Sequence, residues 1–257
     1  MQLECLNMKK LLKIVLPLCL LISTNAFSQT KLAFNGFYTG LSLGYNQTAV
    51  NEGNVSWVST ADPTTYTAGN GQNSKSGGFI GGLNFGYDHR IGNYVIGGEI
   101  SGSLPGGTAN GYAATDDITP GLASPNHPIS SSTKLQSLFV IKPKLGFVID
   151  EKTMVYGMAG LAMGSIKRTI TDGTTDGWWL NAGNSSSNTK NQFGYTVGLG
   201  AERMITEKLS MKLEFNYVDL GNPSFTYAGA QGPGAVTMTQ NVKVTNMATT
   251  LGLSYKF

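Results

Sequence analysis

From Gly36 onward, apolar and polar residues alternate with period two in eight successive stretches. Neighbouring side chains of a strand point to opposite faces, so each stretch predicts a strand with one apolar and one polar or small face. In the first, Gly36 to Gln47, Phe37, Thr39, Leu41, Leu43 and Tyr45 oppose Tyr38, Gly40, Ser42, Gly44 and Asn46. In the second, Gly77 to Asp88, Phe79, Leu83, Phe85 and Tyr87 oppose Ile80, Gly82, Asn84, Gly86 and Asp88. The third, Asn93 to Leu104, sets Tyr94, Ile96, Ile100 and Leu104 against Gly97, Glu99, Ser101 and Ser103. The fourth, Thr133 to Ile149, sets Leu135, Phe139, Ile141, Leu145, Phe147 and Ile149 against Lys134, Gln136, Lys142, Lys144 and Gly146. The fifth, Met154 to Lys167, is small or apolar on both faces. The sixth, Asn191 to Glu202, sets Phe193, Tyr195, Val197, Leu199 and Ala201 against Gln192, Thr196, Gly198, Gly200 and Glu202. In the seventh, Leu209 to Val218, Leu209, Met211, Leu213, Phe215 and Tyr217 face away from Ser210, Lys212, Glu214 and Asn216. The eighth, Val244 to Phe257, ends with Leu251, Leu253, Tyr255 and Phe257 opposite Thr250, Gly252, Ser254 and Lys256.

A soluble β-sandwich would alternate in the same way. Three features select a membrane barrel instead. The segments run to about ten to fourteen residues, the length of a tilted strand crossing a bilayer, where sandwich strands usually have about five or six. The polar faces carry Glu99, Lys142, Lys144, Glu202, Lys212 and Glu214 beside glycines, which suits a narrow interior where charges pair. Phe37, Tyr45, Tyr87, Tyr94, Tyr195, Tyr217 and Tyr255 lie near segment ends on the apolar face, as in the aromatic girdles at membrane boundaries.

The connections alternate in length. Short ones fall at His89-Arg90-Ile91-Gly92, at Asp150-Glu151-Lys152-Thr153 and from Arg203 to Lys208. Long ones run from Val50 to Ser76, Pro105 to Ser132, Arg168 to Lys190 and Asp219 to Lys243. This predicts an eight-stranded antiparallel up-and-down transmembrane β-barrel, with four long outer loops, three short periplasmic turns and both termini on the periplasmic side. A closed, even barrel also satisfies every backbone hydrogen bond, as hydrocarbon demands.

Residues Met1 to Ser28 have a different pattern. Lys9, Lys10 and Lys13 precede an apolar run from Ile14 to Ile22, and Ala26-Phe27-Ser28 follows. That is a signal peptide, too short in its apolar part to span a bilayer, with cleavage after Ser28 or Ala26 and Met8 as an alternative start. It leaves residues 29–257 as the barrel domain. Cys19 follows Leu18 where a lipidated cysteine follows a small residue, so it reads as leader filler. Cys5 and Cys19 are the only cysteines, so the exported chain has no disulfide or thiolate chemistry. From Gln29 onward there are 15 basic and 14 acidic residues, a net of +1, which argues against nucleic acid as a partner. No later apolar run reaches helical span length, and the periodic aromatic and aliphatic residues argue against disorder.

The chain resembles the opacity-type, porin-like eight-stranded outer-membrane proteins of Gram-negative bacteria. The residues that carry the likeness are Phe37-Tyr-Thr-Gly-Leu-Ser-Leu-Gly-Tyr45, Gly77-Gly-Phe-Ile-Gly-Gly82 and Met154-Val-Tyr-Gly-Met-Ala-Gly-Leu-Ala162. Gly194-Tyr-Thr-Val-Gly-Leu-Gly-Ala-Glu202 and Leu253-Ser-Tyr-Lys-Phe257 complete it. It spans the eight strands and almost none of the loops. The resemblance implies an outer-membrane location and a role for Leu253, Tyr255 and Phe257 as the signal read by the barrel-assembly machinery. It also implies a choice of activities: adhesion to host surface or matrix proteins, hemin binding, solute leakage or envelope integrity.

No enzyme motif stands out, so catalytic, metal and cofactor residues are expected to be absent. His89 and His127 are the only histidines and are predicted at opposite ends of the barrel, where they cannot share a metal. Asp116-Asp117 reads as a solvated loop pair, and Gly198-x-Gly200 as strand packing with no helix after it. Glu99, Glu202 and Glu214 are expected to pair with Lys134, Lys142, Lys144 and Lys212 and so to plug the lumen. Trp57, Tyr112, His127, Trp178, Trp179 and Tyr227 are the candidate loop-binding residues, Trp178-Trp179 being either an interface anchor or part of the outer girdle. Three functions remain open: a structural or adhesive surface barrel, a narrow passive porin, and hemin capture through His127 or loop tyrosines.

Overall fold

The computed structural model describes residues 33–59, 65–68, 72–114, 129–172, 185–231 and 234–257. The expected signal peptide lies outside the described residues. The strands are β1 (Gly36–Ser59), β2 (Thr65–Ala68), β3 (Ser74–Ile91), β4 (Tyr94–Pro105), β5 (Ala109–Ala114), β6 (Ile129–Asp150), β7 (Thr153–Asp172), β8 (Ser185–Met204), β9 (Leu209–Asp219), β10 (Ser224–Gln231) and β11 (Gly234–Lys256). Eight of them pair antiparallel in the order β1-β3-β4-β6-β7-β8-β9-β11. The ring closes where β11 returns to β1, in register from Tyr38↔Lys256 to Ser59↔Val236. The expected all-β, eight-stranded up-and-down barrel is therefore what forms, and β2, β5 and β10 are additions at one end.

The short turns are tighter than the sequence suggests. Ile91 pairs with Tyr94, so His89, Arg90 and Ile91 belong to β3 and only Gly92-Asn93 turns, with Gly92 at φ +62°. Asp150 pairs with Thr153, and the Asp150 carboxylate accepts the Lys152 backbone N–H at 2.8 Å. That bond holds the Asp150 carboxyl below its ordinary pKa.

Through the middle of every wall strand the apolar residues point outward. Leu41, Leu43, Phe79, Leu83, Leu104, Leu145, Leu161, Phe193, Leu199, Leu213 and Leu251 are exposed on the outer face. Burial inside a soluble core would reverse this, so the face is built for hydrocarbon. Aromatic pairs mark its rims: Phe37–Tyr87 at 4.8 Å, Tyr94–Phe147 at 5.5 Å and Tyr255–Phe257 at 5.6 Å at the short-turn end, and Tyr45–Phe79 at 6.4 Å at the other.

Beyond the outer rim the sense of burial inverts. On β7 the outward residues Val155, Leu161 and Met163 give way to Lys167, Thr169 and Thr171, while Ile166 and Ile170 turn inward and are fully buried. Val50, Val55, Leu135, Phe225, Tyr227, Met238, Val242 and Val244 join them in one apolar cluster. Outside, hydroxyls ladder across strands, Thr169 with Ser187 and Thr171 with Ser185, both at 2.8 Å. The long connections are thus partly strand. Among the described residues the ring also parts here into two four-stranded sheets, β2-β1-β11-β10 and β5-β6-β7-β8. Their apolar faces meet as in a water-soluble sandwich.

Two β-bulges assist the inversion. In β1 the register shifts between Glu52 and Val55, so that both point inward although their parity differs. In β6 it shifts between Leu135 and Ser137. One extra residue turns every side chain beyond it to the other face. Leu135, expected on the lipid face, is therefore buried, and Lys134, expected in the lumen, is exposed outside.

Leu41 lies mid-belt between Leu83 and Leu253. Leu41→Arg should cost about 2–4 kcal/mol in urea unfolding from phosphatidylcholine vesicles. Ser187→Arg, on the exposed hydroxyl ladder of the head, should change stability by no more than about 0.5 kcal/mol.

Candidate functional site

Inside the lipid belt, the alternation that sends leucines outward leaves β3, β4, β6, β8, β9 and β11 no choice but to send charges inward. The structure resolves these into two alternating squares. In the first, Lys142 lies 3.1 Å from Glu99 and 2.7 Å from Glu214, while Lys212 lies 2.5 Å from Glu99 and 3.7 Å from Glu214. In the second, Lys144 lies 2.9 Å from Asp88 and 3.8 Å from Glu202, while Lys256 lies 3.3 Å from Asp88 and 3.1 Å from Glu202. Four lysines and four carboxylates, all buried, cancel without remainder.

Two tyrosines tie the squares together. The Tyr38 hydroxyl donates to Glu99 at 3.0 Å and accepts from Lys144 at 3.1 Å. Its ring stands 4.6, 5.0 and 5.3 Å from the ammonium groups of Lys144, Lys256 and Lys212, so three cations share one π-face environment. Tyr156 donates to Glu214 at 2.8 Å. Both rings need neighbours without a Cβ: a methyl at Gly86 would overlap the Tyr38 ring, and one at Gly200 the Tyr156 ring.

Apolar layers close the squares from both sides. Towards the short turns lie Phe34, Val95, Val148, Met154, Met158 and Met204. Phe34, at φ +62° and wholly buried, packs its ring 5.3 Å from the Lys256 ammonium. Met154, Tyr156 and Met158 explain why β7 looked ambiguous: its inward face is apolar as well. Towards the head, a cavity of about 60 Å3 lined by Ser42, Asn84, Thr196, Asn216 and Asn246 separates the charges from the upper cluster. It has room for a few waters.

One ion pair crosses the upper cluster. Arg168 on β7 donates to both oxygens of Glu52 on β1, at 2.9 and 3.0 Å, and to Gln240 on β11 at 2.6 Å and Thr133 on β6 at 3.1 Å. Ser131 adds a bond to Glu52 at 2.5 Å. The pair joins the two sheets of the head through their shared core.

Of the expected lumen residues, Glu99, Lys142, Lys144, Glu202, Lys212 and Glu214 lie together in the squares, and the bulge in β6 places Lys134 on the outer wall. Asp88, Lys256, Tyr38, Arg168 and Glu52 complete the interior but were not singled out. Parity had already put Tyr38, Asp88 and Lys256 on the inward face. Tyr227, expected exposed on a loop, is buried in β10 with its hydroxyl 3.4 Å from the Arg168 carbonyl, and burial pushes the phenol up to about 12. It presents nothing to an external ligand. Trp57 pairs with Met238 in β1, and Tyr112 with Ser130 in β5; His127, Trp178 and Trp179 lie outside the described residues. His89 is exposed on β3, and no cluster of metal-ligating side chains occurs among the described residues.

Lipid-facing wall, aromatic rims and a self-neutralised interior define a transmembrane β-barrel of the outer-membrane class. Residues 14–257 match the model of the Outer membrane protein beta-barrel domain family, and the chain belongs to that family. It is 30% identical over 152 residues to a 31 kDa outer-membrane immunogenic protein of Brucella melitensis, covering 57% of this chain and 55% of that protein. It is also 30% identical over 156 residues to a 22 kDa outer membrane protein of Rhizobium leguminosarum, covering 60% and 59%. The match thus spans little more than half the length of these relatives. Among solved structures, Ail, the attachment invasion locus protein of Yersinia pestis, aligns with 87% of this chain and 99% of its own, at 16% identity and a TM-score of 0.38. The chain is an outer-membrane protein.

Glu99 touches both lysines of its square. Glu99→Gln should destabilise the barrel by about 3–5 kcal/mol, because it leaves buried ammonium charge uncompensated. Glu99→Gln combined with Lys212→Met should cost less than the two single changes summed, measured as a double-mutant cycle of urea unfolding in vesicles.

Proposed function

We propose that this protein is a closed, non-enzymatic surface barrel that presents a rigid outer head, with a structural and adhesive role. The observation that carries this reading is the head itself. Anchoring in lipid needs only the belt, yet β1, β6, β7, β8 and β11 continue well past the outer rim and build a second core around Arg168 and Glu52. A scaffold so braced holds the connections between its strands at fixed separations, which favours binding on those connections.

Conduction is the rival function. The charge squares, the apolar layer at the turns and the upper cluster stand in series along the lumen, and the space between them holds only a few waters. A passive path would need several buried ion pairs to open together.

Two measurements test the proposal. Refolded protein in a planar bilayer should stay electrically silent, and steady unitary openings would favour the porin reading. A variant with residues 173–184, which include Trp178 and Trp179, replaced by a short turn should fold and reach the surface of a laboratory strain. It should lose most of the attachment to host cells or matrix that the full chain confers; undiminished attachment would remove this connection from the binding surface.

A further inference from the structure

The bulge in β6 places two lysines side by side. Lys134 on β6 is the direct cross-strand partner of Lys167 on β7, and both are exposed on the outer wall. Partners in an antiparallel ladder sit about 4.5–5.5 Å apart at Cα, and like charges at that spacing repel. Neither ammonium has an ion-pair partner among the described residues. Without the bulge Lys134 would point inward, so the juxtaposition is produced by an irregularity of the kind that re-aims a side chain.

The surroundings suit an anion. Described outward neighbours on these strands are neutral hydrogen-bonding residues: Ser132, Gln136 and Ser137 on β6, Ser165 and Thr169 on β7, Ser187 and Thr189 on β8. Asp219, a carboxylate at the outer rim on β9, is already bonded to Lys243 at 3.3 Å. The height is equally specific. Phe139 and Met163 are the last apolar residues of the belt on these strands, the Ser137–Ser165 pair follows, and the two lysines are the first charges above it. That level is where lipid headgroups lie.

We propose that Lys134 and Lys167 form a site for the phosphate groups of an outer-leaflet lipid, with the neighbouring hydroxyls as further donors. A doubly cationic fork relieves its own repulsion by bridging a phosphate, and lysine serves as a point-charge phosphate binder. The position on the lipid-facing wall, below the tips of the head, favours a membrane lipid over a soluble polyanion. The inference rests on the head facing outward, and not on adhesion or on the state of the lumen.

The test compares wild type with Lys134→Gln/Lys167→Gln, refolded into phosphatidylcholine vesicles alone, with bisphosphorylated lipid A, or with lipid A stripped of phosphate. Retained lipid is counted by native mass spectrometry after extraction, and thermal unfolding is followed in the vesicles. Wild type should retain bisphosphorylated lipid A about tenfold or more better than the double variant, as expected for the loss of two charges at a headgroup. It should also melt higher only in those vesicles. In phosphatidylcholine alone the variant should melt no lower than wild type, and Lys134→Arg/Lys167→Arg should keep the lipid. Amine acetylation of wild type supplies a readout that needs no variant: bisphosphorylated lipid A should protect both lysines, and inorganic phosphate at equal concentration should not. Equal retention by wild type and variant, or no dependence on lipid phosphate, would overturn the proposal. So would protection of these lysines by a sulfated oligosaccharide but not by lipid A.

Discussion

Neutrality inside a narrow lumen is the constraint on which the rest of this barrel depends. Eight strands enclose a space that side chains fill, and a lipid-facing exterior claims the apolar half of every strand. What remains for the inside is polar, and a buried charge is tolerable only beside its opposite. Two squares of alternating lysine and carboxylate meet that demand with four charges of each sign. Tyr38 and Tyr156 fill what the charges leave, and Gly86 and Gly200 exist to admit them.

The head solves the opposite problem with the same strands. Above the rim, water replaces lipid, so apolar residues gain by turning inward. Most strands make the change without altering their backbone, by changing composition at fixed parity. On β11, even positions run from Ser254 and Thr250 through Asn246 to Val244, Val242 and Met238. On β6 a bulge does it instead, and the displaced Lys134 comes to stand beside Lys167. One irregularity thus both seals the core with Leu135 and re-aims a cation at the headgroup level.

The lipid-embedded part was legible in the sequence because hydrocarbon and a charged lumen impose strong, opposite demands on alternate residues. Antiparallel order follows from the alternating connection lengths, and strand number, the outward leucines other than Leu135 and six of the seven expected lumen charges follow from parity. Lys134 did not, because one inserted residue reverses parity and leaves no mark in composition. The head has the sequence character of a loop because Ser, Thr, Asn and Gly on a solvated strand face look like turn residues, as between Arg168 and Lys190. Tyr227 falls in the same stretch: in a strand whose partner sheet is remote in sequence, burial depends on a pairing that local pattern does not reveal. The parting into two sheets depends on which edges go unpaired, a property of the assembled ring.

The inversion of burial at the outer rim can be measured directly along β7. With Cys5 and Cys19 the only cysteines, single cysteines at positions 155 to 171 can each carry a spin label in refolded, lipid-embedded protein that begins at Gln29. Collisions with oxygen report lipid, and collisions with a water-soluble nickel chelate report solvent. Odd positions from 155 to 163 should be oxygen-accessible, odd positions from 165 to 171 nickel-accessible, and even positions protected from both throughout. Oxygen access at 166 and 170, with nickel access at even positions in the belt, would contradict it.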